Sequence, residues 1–320
     1  MPTTLIDNSL CVYALREDVN SEYLRRYVDA LGRAGVRYVE MDSLSVMKLR
    51  SQPLKTGCIF HPIDPMFMRL CEVFDFDYVY LTAADLKKGI TTDLPVIFGF
   101  MPGENYSHSV FCDARDMLGG NITAVSLNGG FPFMSFEEAA RYVMLLKNHI
   151  PVPINIRPTN ARKNALDSAL KFTFGGVDSL TLTLGSADRF CSLEEYFFSL
   201  LTVYDKLPDN LNLSALCEAS AYQKLIFRNP TDVITRLVNI ADDDINTLTN
   251  ADTGDRVYLK ARPRVADFKR RAYASALRKM AAMEQIPEDI FECIDEAIKS
   301  YDLRVFDDDL LSGGGRAFLN

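Results

Sequence analysis

Over the first 200 residues, short apolar runs rich in β-branched and aromatic residues alternate with longer amphipathic stretches. That is the pattern of repeated strand and helix units feeding a parallel sheet. Eight runs are short enough for buried strands: Thr4 to Leu10, Val36 to Met41, Cys58 to His61, Tyr78 to Thr82, Val96 to Phe100, Ile122 to Leu127, Val152 to Ile156 and Leu180 to Leu184. Eight parallel strands close a barrel, so the predicted fold is α/β, a (β/α)8 TIM barrel. Between strands, Ser21 to Ala34 carries Tyr23, Leu24, Tyr27, Val28 and Leu31 on one helical stripe, and Gly35 stops it. Ser135 opens a further helix through Leu146, its hydroxyl suited to cap free N–H groups and Glu137 and Glu138 placed at the positive helix end.

Beyond residue 205 the strand signal fades at Pro208, Asp209 and Asn210. Helical patterns follow at Ser214 to Leu225 and Asp232 to Ile240, then an acidic connection from Ala241 to Asp255. Val265 to Met283 and Pro287 to Ser300 read as two more helices able to pair as a hairpin. The expected division is a barrel over 1–205 and a small helical C-terminal subdomain over 206–320.

Composition narrows the possible partners. With 48% hydrophobic and 24% charged residues the chain is ordinary for a globular protein. No apolar run is long enough to cross a membrane, and MPTTLIDNSL lacks the signature of a signal peptide, so a cytoplasmic protein is expected. The seven cysteines are scattered without CxxC spacing, which argues against a disulfide framework and a zinc knuckle. A net charge of -8 offers no general attraction to nucleic acid or an anionic membrane, leaving small molecules and proteins as expected partners.

Barrel chemistry sits at the C-terminal strand ends, and a family likeness emerges there. Leu5-Ile-Asp-Asn-Ser-Leu-Cys-Val-Tyr resembles the Asp-Thr-Thr-Leu-Arg-Asp-Gly stretch that begins homocitrate synthases, isopropylmalate synthases and related metal-dependent lyases. Ala34-Gly-Val-Arg-Tyr-Val-Glu-Met-Asp42 resembles their second strand, and Ile156-Arg-Pro-Thr-Asn160 lies where they carry His-x-His-Asn. Gly175-Gly-Val-Asp178, Leu193-Glu-Glu195, Val257-Tyr-Leu-Lys-Ala-Arg262 and Leu303 to Leu310 extend the likeness into the C-terminal region. The resemblance implies condensation of an acyl-CoA, typically acetyl-CoA, with a 2-oxo acid, or the reverse cleavage, and it implies a homodimer.

The departures fall on the chemistry. The family's arginine and metal-binding aspartate after strand one are Cys11 and Val12 here, and its two metal-binding histidines after strand seven are Arg157 and Thr159. The Gly-Glu-Arg-x-Gly-Asn loop after strand eight is shortened to Gly185 to Ser192, and no histidine follows His149. An oxygen-rich Mg2+ or Mn2+ site from Asp7, Glu40, Asp42 and Asn160 is one reading. The preferred reading is an internal pair in which Arg157 stands in for the cation, neutralising Asp7 or Glu40, with capture of a carboxylate ligand as its rival. No metal or cofactor is therefore expected, with acetyl-CoA retained as a candidate substrate.

Glu40, His61 and Arg157 are the candidate catalytic residues, His61 as a general acid or base or else a structural histidine. Asp7, Asn8, Asp42, Asn160, Thr183 and Arg189 are candidates for substrate contact. Cys11 is a nucleophile if Arg157 lowers its pKa and a packing residue otherwise. Two functions remain open: a non-catalytic binding, regulatory or partner subunit, alone as a dimer or with a homologous synthase, and an active condensing enzyme or lyase with a rebuilt site.

Overall fold

The structure is a computed structural model that describes residues 3–16, 18–49, 54–62, 64–100, 106–185, 190–204 and 209–228. The expected helices beyond 228, most of the C-terminal subdomain, and Arg189 lie outside these residues. Eight strands, β1 (Thr4–Asp7), β2 (Val36–Asp42), β3 (Gly57–His61), β4 (Tyr78–Thr82), β5 (Val96–Phe100), β6 (Ile122–Gly129), β7 (Ile154–Pro158) and β8 (Ser179–Leu182), pair in parallel in chain order. β8 returns to β1 and closes the predicted barrel. The helices are α1 (Ser9–Val12), α2 (Ser21–Ala34), α3 (Ser43–Leu49), α4 (Ala83–Lys87), α5 (His108–Met117), α6 (Phe136–His149), α7 (Ala165–Phe174), α8 (Leu193–Tyr204) and α9 (Leu213–Ile226).

Several boundaries move for identifiable reasons. β1 ends at Asp7, three residues before the expected Leu10, because the Asp7 carboxylate takes the Ser9 backbone N–H (3.1 Å) and hydroxyl (2.8 Å) and turns the chain into α1. β8 stops at Leu182 because the Leu184 N–H is drawn off to Asp7 Oδ2 at 3.0 Å. β7 starts two residues later than Val152, since Pro151 and Pro153 have no N–H to give a ladder, although the Pro153 carbonyl accepts from Val125. That shift puts Arg157 inside the strand. Ser135 caps α6 as expected, in a reciprocal box with Glu138.

α2 ends on Gly35, whose positive φ of 105° suits glycine and where a Cβ would overlap the Asn210 carbonyl oxygen. That close approach seats α9 on α2. Tyr27 meets Phe227 edge to face at 5.7 Å, and Arg33 pairs with Glu218 at 2.7 Å.

Side chains alternate in and out along each strand. The outward set joins the helices in one continuous core that includes Val39, Met41, Phe60, Leu81, Phe98 and Leu127. The inward set forms layers supplied by alternate strands. The lower one, from the odd strands, holds Ile6, Ile59, Ile97 and Asn155; above it the even strands give Glu40, Tyr80, Ser126 and Thr181; above that the odd strands give Asn8, His61, Gly99 and Arg157. Only the bottom is mainly apolar, with Ile6, Ile59, Ile97 and Tyr80 forming a small cluster of their own. Gly99 is required where it stands, because a Cβ there would overlap the Tyr80 hydroxyl and ring. Gly99→Ala is expected to destabilise the fold by about 1–3 kcal/mol through overpacking, read as a lower urea midpoint at unchanged slope.

Candidate active site in the barrel mouth

The site is built from the upper two layers. Glu40 on β2 is 1% exposed, so its charge must be met inside the protein. Its Oε1 accepts from Arg157 Nη2 at 2.5 Å, across from β7. Its Oε2 lies 3.0 Å from His61 Nε2 at the end of β3, yet neither atom has a hydrogen-bond partner. Tyr80 on β4 organises both neighbours. The His61 ring stacks on it at 4.3 Å and 10°, and the Arg157 guanidinium carbon lies 4.7 Å from its centroid. The three candidate catalytic residues are thus brought together.

Burial works against ionising Glu40, but Arg157 and His61 outweigh it and hold the carboxyl below the ordinary carboxylate range. The same partnership keeps Arg157 charged: burial opposes it, and the neighbouring Glu40 prevails. Cys11 does not become the activated thiol that an adjacent arginine suggests. Burial pushes it well above 9.0, Glu40 and Asp42 push the same way, and Arg157 only partly opposes them.

Asp7 and Asn8 are adjacent in sequence and take opposite faces of the barrel wall. Asn8 accepts from the Thr183 hydroxyl at 2.5 Å, joining β1 to the end of β8. Asp7, fully buried, spends both oxygens on Ser9 and the Leu184 N–H. Burial raises its pKa to about 6 despite those bonds. Asp42 caps α3 by accepting from the Ser45 N–H at 2.8 Å, and Asn160 accepts from the Ala165 N–H at 3.3 Å. One oxygen of each has a local structural partner, whereas Arg157 Nε and Asn8 Nδ2 are buried donors with none.

Below the mouth runs a polar column that the sequence pattern alone did not single out. Asn128 donates to the Tyr80 hydroxyl at 2.7 Å, Ser126 to Asn155 at 2.8 Å, and Thr181 to Asn155 at 3.1 Å and to Glu40 Oε1 at 3.5 Å. The signal was present as polar residues two apart in buried strands, Ser126 and Asn128 above all, since a period of two sends both to one face. Away from the mouth, a cavity of 1210 Å³ at the N-terminal strand ends is lined by Arg25, Arg26 and Arg33, each already paired with Glu22, Asp29 or Glu218.

These residues do not fit the divalent cation of the metal-dependent lyases. The Val12 side chain has no donor atom, Arg157 is itself a cation, Thr159 offers only a hydroxyl, and Asp7 has both oxygens engaged. Of the two partners open to Arg157 it takes Glu40.

No protein-family model and no curated protein matches the sequence. Among solved structures, the hydroxymethylglutaryl-CoA lyase of Pseudomonas aeruginosa matches with a TM-score of 0.52 at 12% identity, over 69% of this chain and 91% of that one. The HMG-CoA lyase of Bacillus subtilis matches with 0.50 at 10%, over 69% and 92%. The chain shares the fold of these lyases. At such identities the likeness is one of fold alone, and the mouth chemistry rests on this chain's own residues. No helix among the described residues is long and apolar enough to cross a membrane.

The two buried acids respond differently to perturbation. Arg157→Met leaves a buried carboxylate unpaired and is expected to cost about 3–5 kcal/mol, whereas Glu40→Gln/Arg157→Met recovers most of that loss in a double-mutant cycle of urea unfolding. Asp7 binds its proton more tightly folded (about 6) than at its ordinary value of 3.8. Its contribution is therefore fully present below 3.8 and lost as pH rises through about 6, a change of about 3 kcal/mol. Unfolding free energies measured across that window should show this fall in the wild type and lack it in Asp7→Asn.

Proposed function

We propose that this chain is a degenerate relative of the homocitrate and isopropylmalate synthases, a non-catalytic binding or regulatory subunit that holds a small carboxylate or the acyl end of an acyl-CoA in the barrel mouth. The observation that carries the proposal is the Arg157–Glu40 ion pair at 2.5 Å, with arginine standing at a position where the family places a metal ligand. A metal polarises a substrate carbonyl and stabilises developing negative charge by several kcal/mol. A guanidinium committed to a buried carboxylate supplies less of that, but it still offers planar, charge-assisted donors to a carboxylate. Arg157 Nε and Asn8 Nδ2, both buried without acceptors, are donors such a ligand would satisfy. Assembly as a homodimer or with a homologous synthase completes the proposal.

The test is calorimetry of the full chain with 2-oxoglutarate and with acetyl-CoA, beside an assay of CoA release from both together, with and without Mg2+ or Mn2+. Binding of one of them that is lost in Arg157→Met, with no CoA release, is expected. Release dependent on Mg2+ or Mn2+ would defeat the proposal. His61 beside Glu40 at 3.0 Å favours a second reading, an acid–base pair in a metal-independent enzyme; metal-free turnover abolished by His61→Ala would establish it instead.

A further inference from the structure

We propose that Cys11, Glu40 and His61 form a three-ligand site for Zn2+ at the barrel mouth, distinct from the family positions now held by Val12, Arg157 and Thr159. The Cys11 sulfur, a Glu40 oxygen and a His61 ring nitrogen all lie within 4.8 Å of one another. A tetrahedral zinc with bonds of about 2.0–2.3 Å keeps its ligand atoms roughly 3.3–3.8 Å apart. The nitrogen and oxygen, at 3.0 Å, already stand near that spacing, and binding would draw the Cys11 sulfur in from within 4.8 Å.

The second observation is the state of the buried carboxylate. Glu40 Oε2 is without a hydrogen-bond partner although an imidazole nitrogen stands 3.0 Å away, and that nitrogen is without one too. Both are buried polar atoms left unsatisfied, and a cation bound to the two would satisfy both. Arg157 does not occupy this position, because it bonds the other carboxylate oxygen, Oε1, and there it can orient the carboxylate as an outer-shell partner.

Charge and softness select the ion. A thiolate and a carboxylate bring two negative charges and Arg157 returns one positive, so a bound dication leaves one net positive charge, below the two of zinc held by three neutral histidines. Sulfur with nitrogen suits Zn2+ or its cobalt surrogate and not Mg2+ or Mn2+. The thiol passes its proton to solvent as the zinc–sulfur bond forms. Three protein ligands leave a fourth position for water or for a carboxylate ligand. A zinc site goes beyond a carboxylate-binding subunit, and neither requires the other.

The experiment is titration of chelator-treated full chain with Co2+, followed by competition of Zn2+ against a chromophoric chelator. One Co2+ per chain with tetrahedral absorption and a thiolate-to-cobalt charge-transfer band is expected. Cys11→Ser should remove the band, and His61→Asn should weaken Zn2+ at least about tenfold. Zn2+ should raise the thermal midpoint of the wild type, as a ligand of the native state does, and not that of Cys11→Ser. Cys112→Ser is the control for adventitious binding at the Cys112–His108 pair, 3.5 Å apart on α5, and should leave every signal intact. Absence of the band, its survival in Cys11→Ser, or its loss in Cys112→Ser would overturn the site. CoA release with Mg2+ or Mn2+ is a separate arm, so failure of the binding-subunit proposal and failure of the zinc site are told apart.

Discussion

A carboxylate with almost no exposed surface, Glu40, sits in the middle of a closed barrel, and the residues around it are arranged to make that tolerable. An unpaired buried charge costs several kcal/mol even after relaxation. Arg157 meets it from β7, His61 stands beside it from β3, and Thr181 reaches it from β8. Tyr80 offers its ring to both Arg157 and His61, which requires its hydroxyl to lie over a residue with no side chain, Gly99. The Tyr80 hydroxyl in turn is fixed by Asn128. One ionised group thus dictates residues on β3 through β8. The usual interior of this fold, filled by branched apolar side chains, survives only beneath it.

A second buried carboxylate governs where strands end. Asp7 gathers Ser9 and the Leu184 N–H, which binds the first strand's exit to that of the last and closes the barrel at its seam. It has no cation partner among the described contacts, so burial dominates and its pKa rises to about 6, while that of Glu40 falls. The two acids are similarly buried and differ in whether a permanent positive charge faces them.

The strand count and parallel order were legible because buried parallel strands are short apolar runs separated by helical periods. The ends were less so. An apolar pattern that runs on, as the first one does to Leu10, says nothing of where pairing stops. A side chain competing for the next backbone N–H decides that, as Asp7 does at both edges of the seam. Glu40, His61 and Arg157 could be singled out as candidates because they lie toward the C-terminal ends of their strands. Their pairing could not, since Arg157 had Asp7 and Glu40 as rival partners and the choice depends on which face of its own strand each acid takes, Asp7 on β1 and Glu40 on β2. Asn155 and Thr181 read as ordinary strand positions until the layers bring them against Ser126 and Glu40.

On the proposed reading a guanidinium stands in for a metal, and that changes what a site can recognise. A metal ion binds any suitably placed lone pair and exchanges its ligands; a guanidinium is tethered, planar and always charged, and its donors point along fixed directions. With Nη2 held by Glu40, Arg157 has fewer directions left, so a partner must bring oxygens in one plane rather than a single carbonyl. Carboxylates meet that requirement and isolated ketones do not. Under the proposed binding role, the ion pair that neutralises the buried Glu40 also narrows what the mouth accepts, and the two properties cannot be altered separately by changing Arg157 alone.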